Sequence, residues 1–152
     1  MKKPFTRTLV SQLDTQVSLA GKFPFAVQET QRLGRVWRPE IEVNFWSSKF
    51  NEWQRYRVLL DTGADYTLLP RYVAALLGVE LAKVKPTLTQ GVGGQQKVFY
   101  VERVRLKIGS VERAIPVGFI DSNQVPPLLG RRECLETFTL VFDHHAKILL
   151  AE

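Results

Sequence analysis

"VLLDTGADYTLLP", Val58 to Pro70, sets one carboxylate, Asp61, between an apolar run and a Thr-Gly turn and then returns to apolar residues. A carboxylate that follows Leu59 and Leu60 at the end of a core strand is costly to ionise unless donors or a partner charge compensate it. Thr62 and Gly63 supply what such compensation needs. Glycine lets the backbone turn tightly and aim amide N–H groups at the carboxylate, and threonine adds a hydroxyl that can tie the loop to a neighbour. The expectation is therefore a buried, rigidly held aspartate. Asp-Thr-Gly also suits an ordinary turn by itself, so the rest of the chain has to decide between the two.

Outward from this stretch the chain reads as short strands. "EIEVNFW" alternates Ile41, Val43 and Phe45 against Glu40, Glu42 and Asn44, the pattern of a half-buried strand. "RYRVLLD" begins with the same alternation and ends in a continuous apolar run, so this strand enters the core. After the Asp-Thr-Gly turn, "YTLL" reads as a short strand. Pro70 then opens a short helix over "RYVAALLGV", with Gly78 just past its end. "KVFYVERVRLKIG" and "VERAIPVGFID" read as strands, and "TFTLVFD" and "KILLAE" flank a turn at "HHA". Many short strands with a single helix point to a small barrel-like or sandwich β fold.

The chain of 152 residues, 45% hydrophobic and 24% charged, has the length and composition of one globular domain. Residues 1–38 show no sustained period and read as a basic arm, partly extended, with one short strand. Residues 39–152 form the domain proper. The net charge of +6 is concentrated in the arm, where Lys2, Lys3, Arg7, Lys22, Arg32, Arg35 and Arg38 face only Asp14 and Glu29. The body is close to neutral, so nucleic acid is not the expected partner. The single cysteine, Cys134, excludes an intrachain disulfide framework and reads as a small core side chain. His144 and His145 are adjacent, which in a strand turns them to opposite faces, and they read as exposed turn residues. No apolar run approaches the roughly 20 residues of a spanning helix. Gln12, Asp14 and Gln16 interrupt any leader-like apolar stretch, so the expectation is a cytoplasmic protein with no membrane partner.

Three segments, taken in order, resemble the retropepsin family, the retroviral-type aspartic proteases and their relatives. They are "LLDTGAD" from Leu59 to Asp65, "GVGG" from Gly91 to Gly94, and "PLLGR" from Pro127 to Arg131. A lone DTG is weak; the three together at compatible distances are specific. The resemblance implies an all-β fold, a closed acid-protease β barrel with one short helix, active as a C2 homodimer. In this class two aspartates share a proton and activate water against a peptide carbonyl, an arrangement for which aspartic proteases are a standard case. One DTG per chain implies that Asp61 faces Asp61 of a second copy.

The resemblance also implies roles for the other residues. Thr62 joins a hydroxyl network between subunits, Gly63 offers its carbonyl to substrate, and Ala64 lines a pocket. Asp65 pairs with Arg131 to brace the loop. Gly91, Val92, Gly93 and Gly94 form the tip of a flap over the bound peptide. Tyr66, Pro126 and Leu128 add pocket walls, and "KILLAE" is placed to interleave with the partner's terminus. The partners implied are a second copy of the chain and a peptide or protein substrate, with no metal or organic cofactor. The competing expectation is a catalytically silent protein-interaction domain on the same fold.

Overall fold

Residues 18–91 and 93–152 are described by the computed structural model. Val92, expected at the flap tip, and residues 1–17 of the basic arm lie outside them. The order is β1 (Leu19–Phe23), β2 (Ala26–Thr30), β3 (Gly34–Arg38), β4 (Glu40–Ser47), β5 (Glu52–Leu60), β6 (Thr67–Pro70) and helix α1 (Arg71–Leu77). Then follow β7 (Pro86–Gly91), β8 (Gly94–Ile108), β9 (Val111–Ile120), β10 (Leu128–Leu129), β11 (Thr139–Asp143) and β12 (Lys147–Ala151). One-turn 3₁₀ helices lie at Leu81–Lys83 and Leu135–Thr137.

The alternation read in "EIEVNFW" becomes β4, where Ile41, Val43 and Phe45 are buried and Glu42 is exposed. Strand β5 runs antiparallel to it, from Glu52 opposite Ser47 to Leu59 opposite Glu40, and buries Val58 and Leu60 as it enters the core. The larger sheet has seven strands in the order β4-β5-β10-β6-β9-β8-β7, and β8 also pairs with β4 through Asn44–Lys107 and Phe45–Leu106. Helix α1 packs Val73, Ala74 and Leu77 into this core and ends at Gly78, whose left-handed φ of 79° allows its N–H to cap the helix.

The segment before Pro39 differs from the sequence expectation, for it carries three strands where one short strand was anticipated. β2 and β3 form a separate hairpin, Ala26 opposite Arg38 and Thr30 opposite Gly34. Its ladder is decorated by polar pairs such as Arg35–Glu29, so no apolar alternation announces it. The signal that was available is the turn: the Thr30 hydroxyl accepts from Leu33 N–H at 3.0 Å and donates to the Gly34 carbonyl at 3.1 Å. β1 has only Ala20 fully buried and owes its extended form to pairing with β12.

β12 is the middle strand of the three-stranded sheet β1-β12-β11, and Ile148, Leu149, Leu150 and Ala151 are all buried. With both edges paired inside the chain, "KILLAE" has no free ladder left to interleave with a second copy. That expectation is thus corrected. Trp37 stacks on His145 with ring centres 4.1 Å apart, docking the β2–β3 hairpin against the β11–β12 turn. His144 and His145 are exposed there.

Candidate active site

The Asp61 loop is built by the strands on either side of it. β10, only two residues long, lies between β5, with which it runs parallel (Leu128 opposite Leu59), and β6, with which it runs antiparallel (Leu128 opposite Leu68). Because β5 and β6 are the strands before and after the loop, β10 clamps its two stems. Leu59 N–H donates to the Pro127 carbonyl and Asp61 N–H to the Leu129 carbonyl, each at 3.0 Å. Within the loop, Ala64 N–H donates to the Asp61 carbonyl at 3.2 Å, and Gly63 N–H donates to Asp61 Oδ1 at 2.9 Å. This last bond is the backbone donor that the Thr-Gly pair was expected to aim at the carboxylate.

The expectation of a buried carboxylate is corrected. Asp61 is half-buried, and Thr62 and Gly63 are exposed. β5 ends at Leu60, so Asp61 stands where the strand reaches the surface of the single chain rather than inside the core. Among the described residues the Thr62 hydroxyl has no partner.

On its far side the loop is stitched to the segment after β10. Arg131 N–H donates to the Ala64 carbonyl at 3.0 Å and Arg132 N–H to the Asp65 carbonyl at 2.8 Å. Arg131 Nη2 meets Asp65 Oδ1 at 2.5 Å. The two side chains are 50% and 81% exposed, so this ion pair itself adds at most about 1 kcal/mol and the backbone bonds do most of the bracing. Two residues carry the buried part of the brace, Thr67, to which the sequence reading gave no role, and Gly130, which it noted only as part of "PLLGR". Thr67 is fully buried, and its hydroxyl accepts from Gly130 N–H at 3.2 Å. Gly130 passes so close to the loop that a Cβ there would stand 2.2 Å from the Tyr66 carbonyl carbon. A small polar residue in "DYTLLP" and the glycine of "LLGR" were the available signals.

Cys134 lies in the core under this brace. Burial pushes its thiol from the ordinary 9.0 up to about 12, opposed by a hydrogen bond with Thr67 and by Arg113. Two results follow: the native thiol is inert to alkylating reagents until the chain unfolds, and the thiol's contribution to stability is lost as pH rises. Between about 9 and about 12 the unfolded chain gives up the proton that the folded chain retains, so urea midpoints should decline across that range by more than those of Cys134→Ala. An equal decline in the variant would assign the loss to other groups.

The other expected residues distribute as follows. Ala64 and Tyr66 are half-buried in the loop, Leu128 is half-buried in β10, and Pro126 is exposed just before it. Gly91 and Gly94 pair across the tip of the β7–β8 hairpin, with Gly93 in its turn. Among the described residues no hydrogen bond joins this tip to the Asp61 loop. Trp46 and Trp53 meet edge to face at 5.4 Å with the Arg105 guanidinium over both, on the outer surface of β4, β5 and β8 and away from the loop.

Against known proteins, an aspartyl protease family model matches residues 46–132, which hold both the Asp61 loop and the Gly-Arg segment that braces it. No curated protein matches the chain. Among solved structures, a retropepsin-like aspartic protease from Rickettsia conorii is similar, with a TM-score of 0.56 and 21% identity over 87% of this chain and 98% of that one. At that identity the likeness concerns the fold: a mostly β chain with a retropepsin-like arrangement.

Proposed function

This chain belongs to the aspartyl protease family, and from that premise we propose that it is an aspartic endopeptidase whose working site is completed by a second copy. The observation that carries the reading is the Asp61 loop itself. One carboxylate, at a strand end, is oriented by Gly63 N–H, and the backbone N–H of the same residue donates to the Leu129 carbonyl, yet the aspartate remains half open to solvent. A lone surface carboxylate is a weak base. Two of them in contact cannot both ionise, so one holds a proton and the other does not, which is the state that general acid–base hydrolysis requires.

The chain supplies one such loop, so the second carboxylate comes from Asp61 of a C2-related copy. The ionised member takes a proton from water as that water attacks the peptide carbonyl. The protonated member hydrogen-bonds the carbonyl oxygen and stabilises the charge that develops there. The exposed Thr62 then faces its counterpart, and the β7–β8 hairpin closes over the peptide as a flap. Since both edges of β12 are occupied, the two copies meet through another surface than interleaved C-terminal strands.

The test is the initial rate of hydrolysis of a mixed peptide library at mildly acidic pH across a range of protein concentrations. The rate per chain is expected to rise with concentration and then level as the dimer saturates. A rate per chain that is constant down to concentrations at which the protein sediments as a monomer would sink the shared-site mechanism.

A further inference from the structure

Strand β8 turns one face toward the loop that carries Asp61. Tyr100, on that face, meets Tyr66 of the loop edge to face, with ring centres 5.6 Å apart. Tyr66 Cε2 and Val98 Cγ1 converge over Gly118, each 2.7 Å from where a Cβ would stand on that glycine, so the bare backbone of β9 is what makes room for the Tyr66 ring beside Val98. Alternation along a strand puts Gln96 on the same face as Val98 and Tyr100. Burial agrees: Gln96 is half-buried between exposed Gln95 and exposed Lys97. Across the ladder its partner Thr89 is half-buried between exposed Leu88 and exposed Gln90. The Gln96 carboxamide nitrogen lies 4.0 Å from the Cβ position of Gly93, so the side chain is folded up beneath the turn.

The underside of the hairpin thus presents a carboxamide and a hydroxyl, continuous with the aromatic wall of Tyr66 and Tyr100. Resting on the peptidase reading above, we propose that Gln96, aided by Thr89, is a specificity-determining residue that selects substrates with an amide or hydroxyl side chain at the position lying between flap and loop. When the flap closes over a peptide, water is expelled from under it. A substrate amide or hydroxyl there replaces the lost water as hydrogen-bonding partner, whereas an aliphatic side chain leaves the Gln96 carboxamide dry and unpaired.

The experiment compares peptides that differ only at one position beside the cleaved bond, with wild type, Gln96→Leu, Thr89→Val and Gln95→Leu. In wild type, kcat/KM for Asn, Gln, Ser or Thr at that position is expected to exceed that for Leu by about 10-fold. Gln96→Leu removes or inverts the preference, chiefly through KM. Thr89→Val moves it in the same direction by less, and Gln95→Leu, on the outer face, leaves it as it was. An unchanged preference in Gln96→Leu, or an equal change in Gln95→Leu, overturns this proposal and leaves the peptidase reading standing. A wild-type protein that hydrolyses nothing at any concentration overturns the peptidase reading and this inference with it.

Discussion

Asp61→Asn is expected to abolish hydrolysis, with kcat/KM falling by about 10⁴-fold or more, because a carboxamide can neither take a proton from water nor share one with its counterpart. The same change should hardly touch the fold. The Asp61 side chain is half-buried, and the one hydrogen bond recorded for it, from Gly63 N–H at 2.9 Å, can be accepted equally well by the carboxamide oxygen of asparagine. Unfolding free energies of the two proteins, measured in urea, should therefore agree to within about 1 kcal/mol. The pairing of a lost rate with an intact fold is the informative result. A variant that keeps a tenth of the wild-type rate would remove Asp61 from the chemistry, and one that unfolds would show the carboxylate to be a structural group.

The second large effect is expected from Gly130→Ala, and there the fold suffers first. A methyl group at this position would sit 2.2 Å from the Tyr66 carbonyl carbon and 2.3 Å from its oxygen. Those are backbone atoms, so no side chain can rotate away, and the segment after β10 has to back off the Asp61 loop. Doing so strains the bonds from Gly130 N–H to Thr67 and from Arg131 N–H to Ala64. The cost is expected to be about 3 kcal/mol, at the upper end of ordinary overpacking. In a domain of this size that corresponds to a melting temperature lower by roughly 6 to 12 °C. Gly91→Ala, at the hairpin tip with nothing within 4 Å of the added carbon, is the control and should leave the melting temperature within a degree or two of wild type. Similar melting of wild type and Gly130→Ala would mean that the two segments lie further apart than the structure places them.

Much of the body was legible because its signals are local. Ile41, Val43 and Phe45 alternate with polar residues whatever else the chain does, and they became the inner face of β4. Pro70 and Gly78 bracket α1 because one lacks an N–H and the other tolerates a left-handed φ. The run "KILLAE" was recognisable as a strand flanking the "HHA" turn, though its burial on both faces was not. Less legible were the elements whose form depends on distant partners. β1 is a strand because β12 offers it an edge, and β2 and β3 pair through side chains that would be equally at home in a solvated arm. Thr67 looked like one more strand threonine until Gly130, far along the chain, donated to it.

The sequence by itself determined that one carboxylate sits in an Asp-Thr-Gly turn between apolar strands, that a glycine hairpin and a Gly-Arg segment follow in order, and that the chain is mostly β. Composition, spacing and periodicity carry that information within a few residues. Only the tertiary structure decided where those pieces stand. The pairing of two-residue β10 with both stems of the loop holds Asp61 at the surface instead of in the core. The flanking of β12 by β1 and β11 closes its edges to a partner. The bare backbone at Gly118 and Gly130 lets the Tyr66 ring and the Asp61 loop approach as closely as they do. Each of these depends on hydrogen bonds and contacts between residues far apart in the chain, and no local pattern encodes which distant strand will supply the missing partner.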